Sequence, residues 1–195
     1  MRRTSLAWYT LCGATGFGVG AALTDIGGYY LGEYSIFLFF LFMSFVGAFG
    51  GASLGVALRD WKKAVLLAVV GSIAFGIGLG FIGMIILSMT YLSVLGGMVG
   101  GAIGGAALGL AHKGFKGAVT LGWGGAIGFG LGGGIADLLM IFGGIIPESM
   151  VFSEGMILVW VIEVLQGVVG GAVLGAALAL FENRERRLAR IPRVI

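Results

Sequence analysis

A single cysteine, Cys12, excludes an internal disulfide, and it does not follow the small residue that a lipoprotein cleavage site needs. A single histidine, His112, next to Lys113, reads as a solvated loop residue. There is no HExxH, CxxC or nucleophile elbow, so neither a metal site nor an acyl-transfer site is supported. We therefore expect no enzyme, no metal and no cofactor. Charge is equally scarce. Only 11% of the 195 residues are charged against 58% hydrophobic, and a chain of this length has too little core to hide so much apolar surface from water. Alternation of apolar and polar residues is missing as well. Runs such as 36–42 are apolar on both parities, which excludes the strands of a membrane barrel and leaves helices.

What is abundant is glycine, 40 residues of it, and it repeats. GATGFGVG at 13–20, GSIAFGIG at 71–78 and GAIGFGLG at 125–132 are each followed by GxxGGAxxGxAL, at 47–58, 97–108 and 167–178. Residues 64–111 hold no charged side chain, about twice the roughly 20 residues one helix needs to cross the hydrocarbon. The same division predicts six spans near 6–24, 35–58, 64–87, 92–111, 118–136 and 155–181. The expected fold is an all-α integral membrane protein of three tandem glycine-zipper hairpins around a pseudo-threefold axis. One membrane domain would comprise repeats over 5–60, 61–113 and 114–181, with a basic cytoplasmic tail at 182–195. Arg2 and Arg3 before an apolar run resemble an export signal, but 13–20 is the first copy of the repeat, so a retained first span is expected.

The twelve Lys and Arg residues fall at Arg2 and Arg3, at 59–63, at 113–116 and at 184–193. With six spans all four groups lie on one face, while Asp25, Glu33, Glu148 and Glu154 lie on the other. The positive-inside rule then predicts cytoplasmic termini in a plasma or bacterial inner membrane. Trp8, Trp61, Phe115 and Phe181 would mark the inner boundary, and Tyr29, Tyr30, Tyr34, Tyr91 and Trp160 the outer one.

Each even helix carries an unbroken GxxxGxxxG: Gly47, Gly51 and Gly55; Gly97, Gly101 and Gly105; Gly167, Gly171 and Gly175. Residues four apart share a helix face, so each row is a groove in which another backbone can lie. GxGxxG-like strings inside apolar spans, with no preceding strand, do not indicate nucleotide binding.

A charge in the hydrocarbon costs at least about 2.5–3.5 kcal/mol, so intramembrane carboxylates are where a site is sought. Glu163, with Gln166 on the next turn, lies inside the sixth span. Asp25 and Asp137 are equivalent in repeats one and three, where repeat two has Gly83. Both also fit a helix end at the outer headgroups. Two functions follow. One is a channel or transporter for a small solute or ion, with Asp25, Asp137, Glu163 and Gln166 along its path near the outer mouth. The other is a non-catalytic structural or assembly subunit whose glycine faces pack in a homo-oligomer or against other membrane subunits. Membrane lipids are expected partners in both, and nucleic acid in neither.

The repeat count is that of the mitochondrial carriers, but 71–83 and 125–136 contain neither proline nor the acid-and-base motif of that family, which excludes it. Rotary ATPase proteolipids are also glycine-rich hairpins with a membrane carboxylate. Here the positions equivalent to Glu163 are Met43 and Ser93, so that pattern fails too. The glycine lanes are similar to those of the inner-membrane import translocase family, which has four spans rather than six.

Overall fold

The computed structural model describes residues 5–31, 36–83, 85–86, 93–143 and 154–189; within these, the side chains of 25–31, 36–39, 140–143 and 154–160 lie outside the description. All regular structure among the described residues is helical: α1 (Leu6–Leu31), α2 (Ile36–Ala57), α3 (Trp61–Phe75), and a long element over Ser93–Gly143. That element leaves helical geometry at Lys113 and Gly114, which divides it into α4 (93–112) and α5 (115–143). The last helix is α6 (Glu154–Leu188). Among the described residues five helical stretches are long and apolar enough to cross a membrane, and one of them, Ser93–Leu139 taken across the break, is 47 residues, more than twice what one crossing needs.

Two turns at one end of the bundle each contain a positive φ: Arg59 (φ 56°) after α2, and Gly114 (φ 68°, ψ −153°) after α4, the latter an extended conformation that only glycine adopts readily. After the first turn the Asp60 carboxylate accepts the Lys63 N–H at 3.2 Å and so caps α3. These turns carry the basic residues, and their end of the bundle is called the basic end below. Trp61 (78% exposed) and Phe115 (80%) stand outward there. Phe181, next to Glu182 at this end, is turned into the bundle rather than outward.

Around the bundle, α1 packs on α2 and α6, α2 on α3, and α5 on α6. The glycine rows explain how closely. Gly47, Gly51 and Gly55 of α2 face the backbone of α3 at Gly71, Leu67 and Ala64. Gly97, Gly101 and Gly105 of α4 face α5 at Phe129, Gly125 and Leu121, and Gly167, Gly171 and Gly175 of α6 face α1 at Phe17, Gly13 and Tyr9. At three of these nine contacts glycine meets glycine: Gly13 with Gly171, Gly47 with Gly71, and Gly101 with Gly125. A Cβ at any of these six would enter the partner's backbone, so dispersion and weak Cα–H contacts hold helices that no other residue would let approach.

The centre of the bundle is filled by packed side chains. Phe17, Phe75 and Phe129, from equivalent positions of the three sequence repeats, meet there with ring centroids 5.1, 5.4 and 5.2 Å apart. These tilted and edge-on pairs are the preferred aromatic arrangements. Each ring is pressed on a glycine, Gly50, Gly104 and Gly170 respectively. Toward the basic end, Tyr9, Leu54, Leu67, Leu108, Leu121, Leu174 and Leu178 fill the interior, none more than 2% exposed. The outer surface is the reverse of a soluble protein's, with Leu11, Val56, Val69, Ile73 and Leu131 all more than half exposed.

Repeat two departs from the others. The chain continues beyond α3 as a π-helix over Gly76–Gly83, where four glycines commit the backbone weakly to α geometry. Gly78 packs on Gly100 and Ile103, whereas its counterparts Gly20 and Gly132 pack on Val46 and Gln166. The contact is displaced by one turn. Phe75 correspondingly rests on Gly104, where the equivalent positions are Leu54 and Leu174.

Candidate functional site

Beyond the three phenylalanines, away from the basic end, lies a partly open cavity of about 170 Å³. Phe129 is its floor. Its wall is built from equivalent positions of the even helices. Met43, Ser93 and Glu163, each four residues before the first glycine of its row, form one tier; Val46, Gly96 and Gln166 form the next. Odd helices add Thr24 and Ala136, again equivalent, with Ala21 and Leu79. Because the tiers come from related positions, they are level with one another. Because the residues differ, the polarity is one-sided and concentrated on α6.

Glu163 is half-buried and makes no hydrogen bond or ion pair with another described residue. It lies nine residues from the start of α6, roughly 14 Å along the helix. Its counterpart Ser93 is the first residue of α4. The same level is therefore helix interior in α6 and a helix start in α4, and the two need different partners.

At α4 the partner is Asp137. Its Oδ1 accepts the Ser93 N–H at 3.0 Å and its Oδ2 the Val94 N–H at 3.2 Å, so a carboxylate of α5 caps the neighbouring helix and meets its positive dipole end. Asp137 is thus held at the N-terminus of α4 and is not among the residues that line the cavity. Asp25 falls in α1, and its side chain lies outside the described residues. Gln166 lines the cavity, wedged between Gly97 and Gly132.

Sequence reasoning passed over Thr24 and Ser93. The Thr24 hydroxyl is buried and directs its proton at the Phe42 carbonyl (2.9 Å) and the Gly20 carbonyl (3.0 Å), tying α1 to α2. Its oxygen therefore faces the cavity as an acceptor only. Aligning the repeats by their glycines was the signal available, since it puts 43, 93 and 163 on one level.

At the basic end, His112 is no solvated loop residue. It closes α4 with a side chain 1% exposed, and its Nε2–H donates to Glu182 Oε1 at 2.9 Å. The reason is that α6 runs past its apolar part and brings Glu182 over the end of α4. Lys113 Nζ (4.0 Å) and Arg186 (3.9 Å) flank the same carboxylate. The His112 hydrogen bond, ahead of these charges, holds the Glu182 carboxyl below its ordinary range, although burial opposes it. His112 Nδ1 is buried without a partner among the described residues.

No group of three or more metal-ligating side chains occurs among the described residues.

No family model, curated protein or solved structure matches this chain.

The site's chemistry therefore rests on its own geometry: one carboxylate, one amide and two hydroxyls in an otherwise apolar chamber, closed toward the basic end by packed aromatic and aliphatic side chains.

Proposed function

We propose that the chain is a six-span membrane protein, three hairpins around a pseudo-threefold axis, that moves a small solute or ion through the centre of its bundle and is not an enzyme. The six spans follow from dividing the long Ser93–Gly143 element at Lys113 and Gly114. The pseudosymmetry is supported by the three glycine crossings and the three phenylalanines. The positive-inside rule places the basic end and the tail 182–195 in the cytoplasm, so the cavity faces outward. Lipid covers the exposed apolar belt.

The observation that carries this reading is the axial cavity with Glu163 in its wall. A carboxylate at this depth is costly and marks a solute path or site by default. Its floor, Phe129 with Phe17 and Phe75, acts as a closed gate in this conformation. The assembly-subunit reading relies on free glycine faces, and the nine row glycines already face backbone within the chain. The packed inner half favours it, but offers a partner no surface.

Reconstitution into proteoliposomes tests the proposal. Glu163→Gln should lower uptake of a transported solute at least tenfold, and shrinking the gate with Phe75→Leu should raise passive leak. Unchanged values in both variants, each eluting as wild type, would leave the chain a packing subunit.

A further inference from the structure

Glu163 is the only ionisable group among the described residues that line the cavity, and no Lys, Arg or His is among them. Asp137, nearby, is already engaged by two N–H groups of α4. Glu163 thus has no cationic partner among the described residues, and removing a carboxylate from water without one is expensive. Two neutral groups lean the same way: Thr24 has spent its proton on two carbonyls and presents lone pairs, and the Ser93 N–H is taken by Asp137. The Gln166 amide and the Ser93 hydroxyl serve either charge, but an anion would meet the Glu163 carboxylate. A cation would meet what it needs.

The remaining wall restricts which cation. Met43, Val46, Leu79, Ile162 and the Phe129 ring supply no oxygen to replace a hydration shell. A bare calcium or magnesium ion, which takes six to eight oxygen ligands, is poorly served by four polar side chains in a hydrocarbon chamber. An apolar body is well served by it, and an aromatic floor adds attraction for a cationic head or its polarised methyl groups. The volume sets the size. An apolar cavity of about 150 Å³ holds a benzene-sized molecule, so 170 Å³ takes a solute of about five to eight heavy atoms.

From this geometry we infer that the cavity is a binding site for a small monovalent organic cation of the alkylammonium class. Its ammonium head would lie on Glu163, and its hydrocarbon body against Met43, Val46, Leu79 and Phe129. The inference rests on the transport reading only in taking the cavity as a solute site.

Three probes that share a tert-butyl body and differ in charge decide it: tert-butylammonium, tert-butanol and pivalate, each titrated into the full-length protein in nanodiscs. The cation should bind saturably at one site, the alcohol about tenfold more weakly or less, and the acid not at all. Glu163→Gln should weaken the cation roughly 30-fold or more, the usual result of removing one partner of a desolvated charge pair. In the wild type, the methyl protons of bound tert-butylammonium should show a nuclear Overhauser effect to the Phe129 ring, a measurement independent of how the variant folds. Equal binding of pivalate or tert-butanol, unchanged binding in a well-folded Glu163→Gln, or no contact with Phe129 would each overturn the assignment. Cation binding without flux in proteoliposomes would uphold the ligand class and remove the transport reading. Saturable flux of another solute, without cation binding, would do the reverse.

Discussion

At Gly171 the Cβ of an alanine would lie 2.8 Å from the Phe17 Cβ and nearer still to the Gly13 carbonyl. Carbon atoms rest 3.5–4.0 Å apart, so α6 and α1 would have to part by about 1 Å. If the crossing holds about 20 close atom pairs at ~0.1–0.2 kcal/mol each, it is worth ~2–4 kcal/mol, and such a gap forfeits up to about half. Alanine's better helix propensity returns at most about 1 kcal/mol. Gly171→Ala should therefore destabilise by up to about 1 kcal/mol. Gly134→Ala is the matched control, since its Cβ would meet only the tip of Val94 at 3.3 Å and should keep most of the propensity gain. The two variants should differ by about 1–2 kcal/mol. Unfolding in dodecylmaltoside micelles with rising dodecyl sulfate, followed by tryptophan fluorescence, reads that difference. If Gly171→Ala proved as stable as Gly134→Ala, backbone approach would not be what the glycine rows provide.

Asp137→Asn keeps one acceptor for the α4 N-terminus but loses the second and the charge facing the helix dipole, so it should lower stability by about 1–2 kcal/mol in the same titration while leaving tert-butylammonium affinity within about twofold. A large loss of affinity at normal stability would make it a ligand instead. The Glu182 link predicts a pH dependence. Its carboxyl is depressed below the ordinary value near 4.5, so its contribution is complete above that pH and fades as acid protonates it in the folded state. The stability gap between wild type and Glu182→Gln should therefore be constant from pH 7 to about 5 and shrink toward pH 3. A gap that widened on acidification would reverse the assigned sign.

The helical, membrane-type character of the chain was legible from scarce charge and uninterrupted apolar runs, because both follow from composition without any knowledge of packing. The roles of individual polar residues were not. Asp25 and Asp137 look alike in the sequence, and nothing local says that Asp137 meets the start of α4, a partner 43 and 44 residues away. His112 reads as loop because it precedes Lys113 and Gly114; its burial depends on how far α6 extends, which only three dimensions bring to bear. Thr24 hid for the opposite reason, since a threonine in an apolar span commonly returns its hydroxyl to its own helix, as Thr24 does to Gly20, and the second bond to Phe42 needs α2 in place. The π geometry at Gly76–Gly83 was equally invisible, because glycine tolerates it without demanding it.

The tier of Met43, Ser93 and Glu163 gains its meaning from covalent linkage. Three separate identical hairpins would put the same residue at all three positions, and a carboxylate there would face two copies of itself across a narrow chamber, where like charges raise one another's energy. Joining the hairpins in one chain lets each copy mutate alone. A lone negative charge can then sit in a threefold scaffold, and a methionine and a serine can shape the space around it. The scaffold supplies the chamber, and the broken symmetry supplies its one-sided polarity.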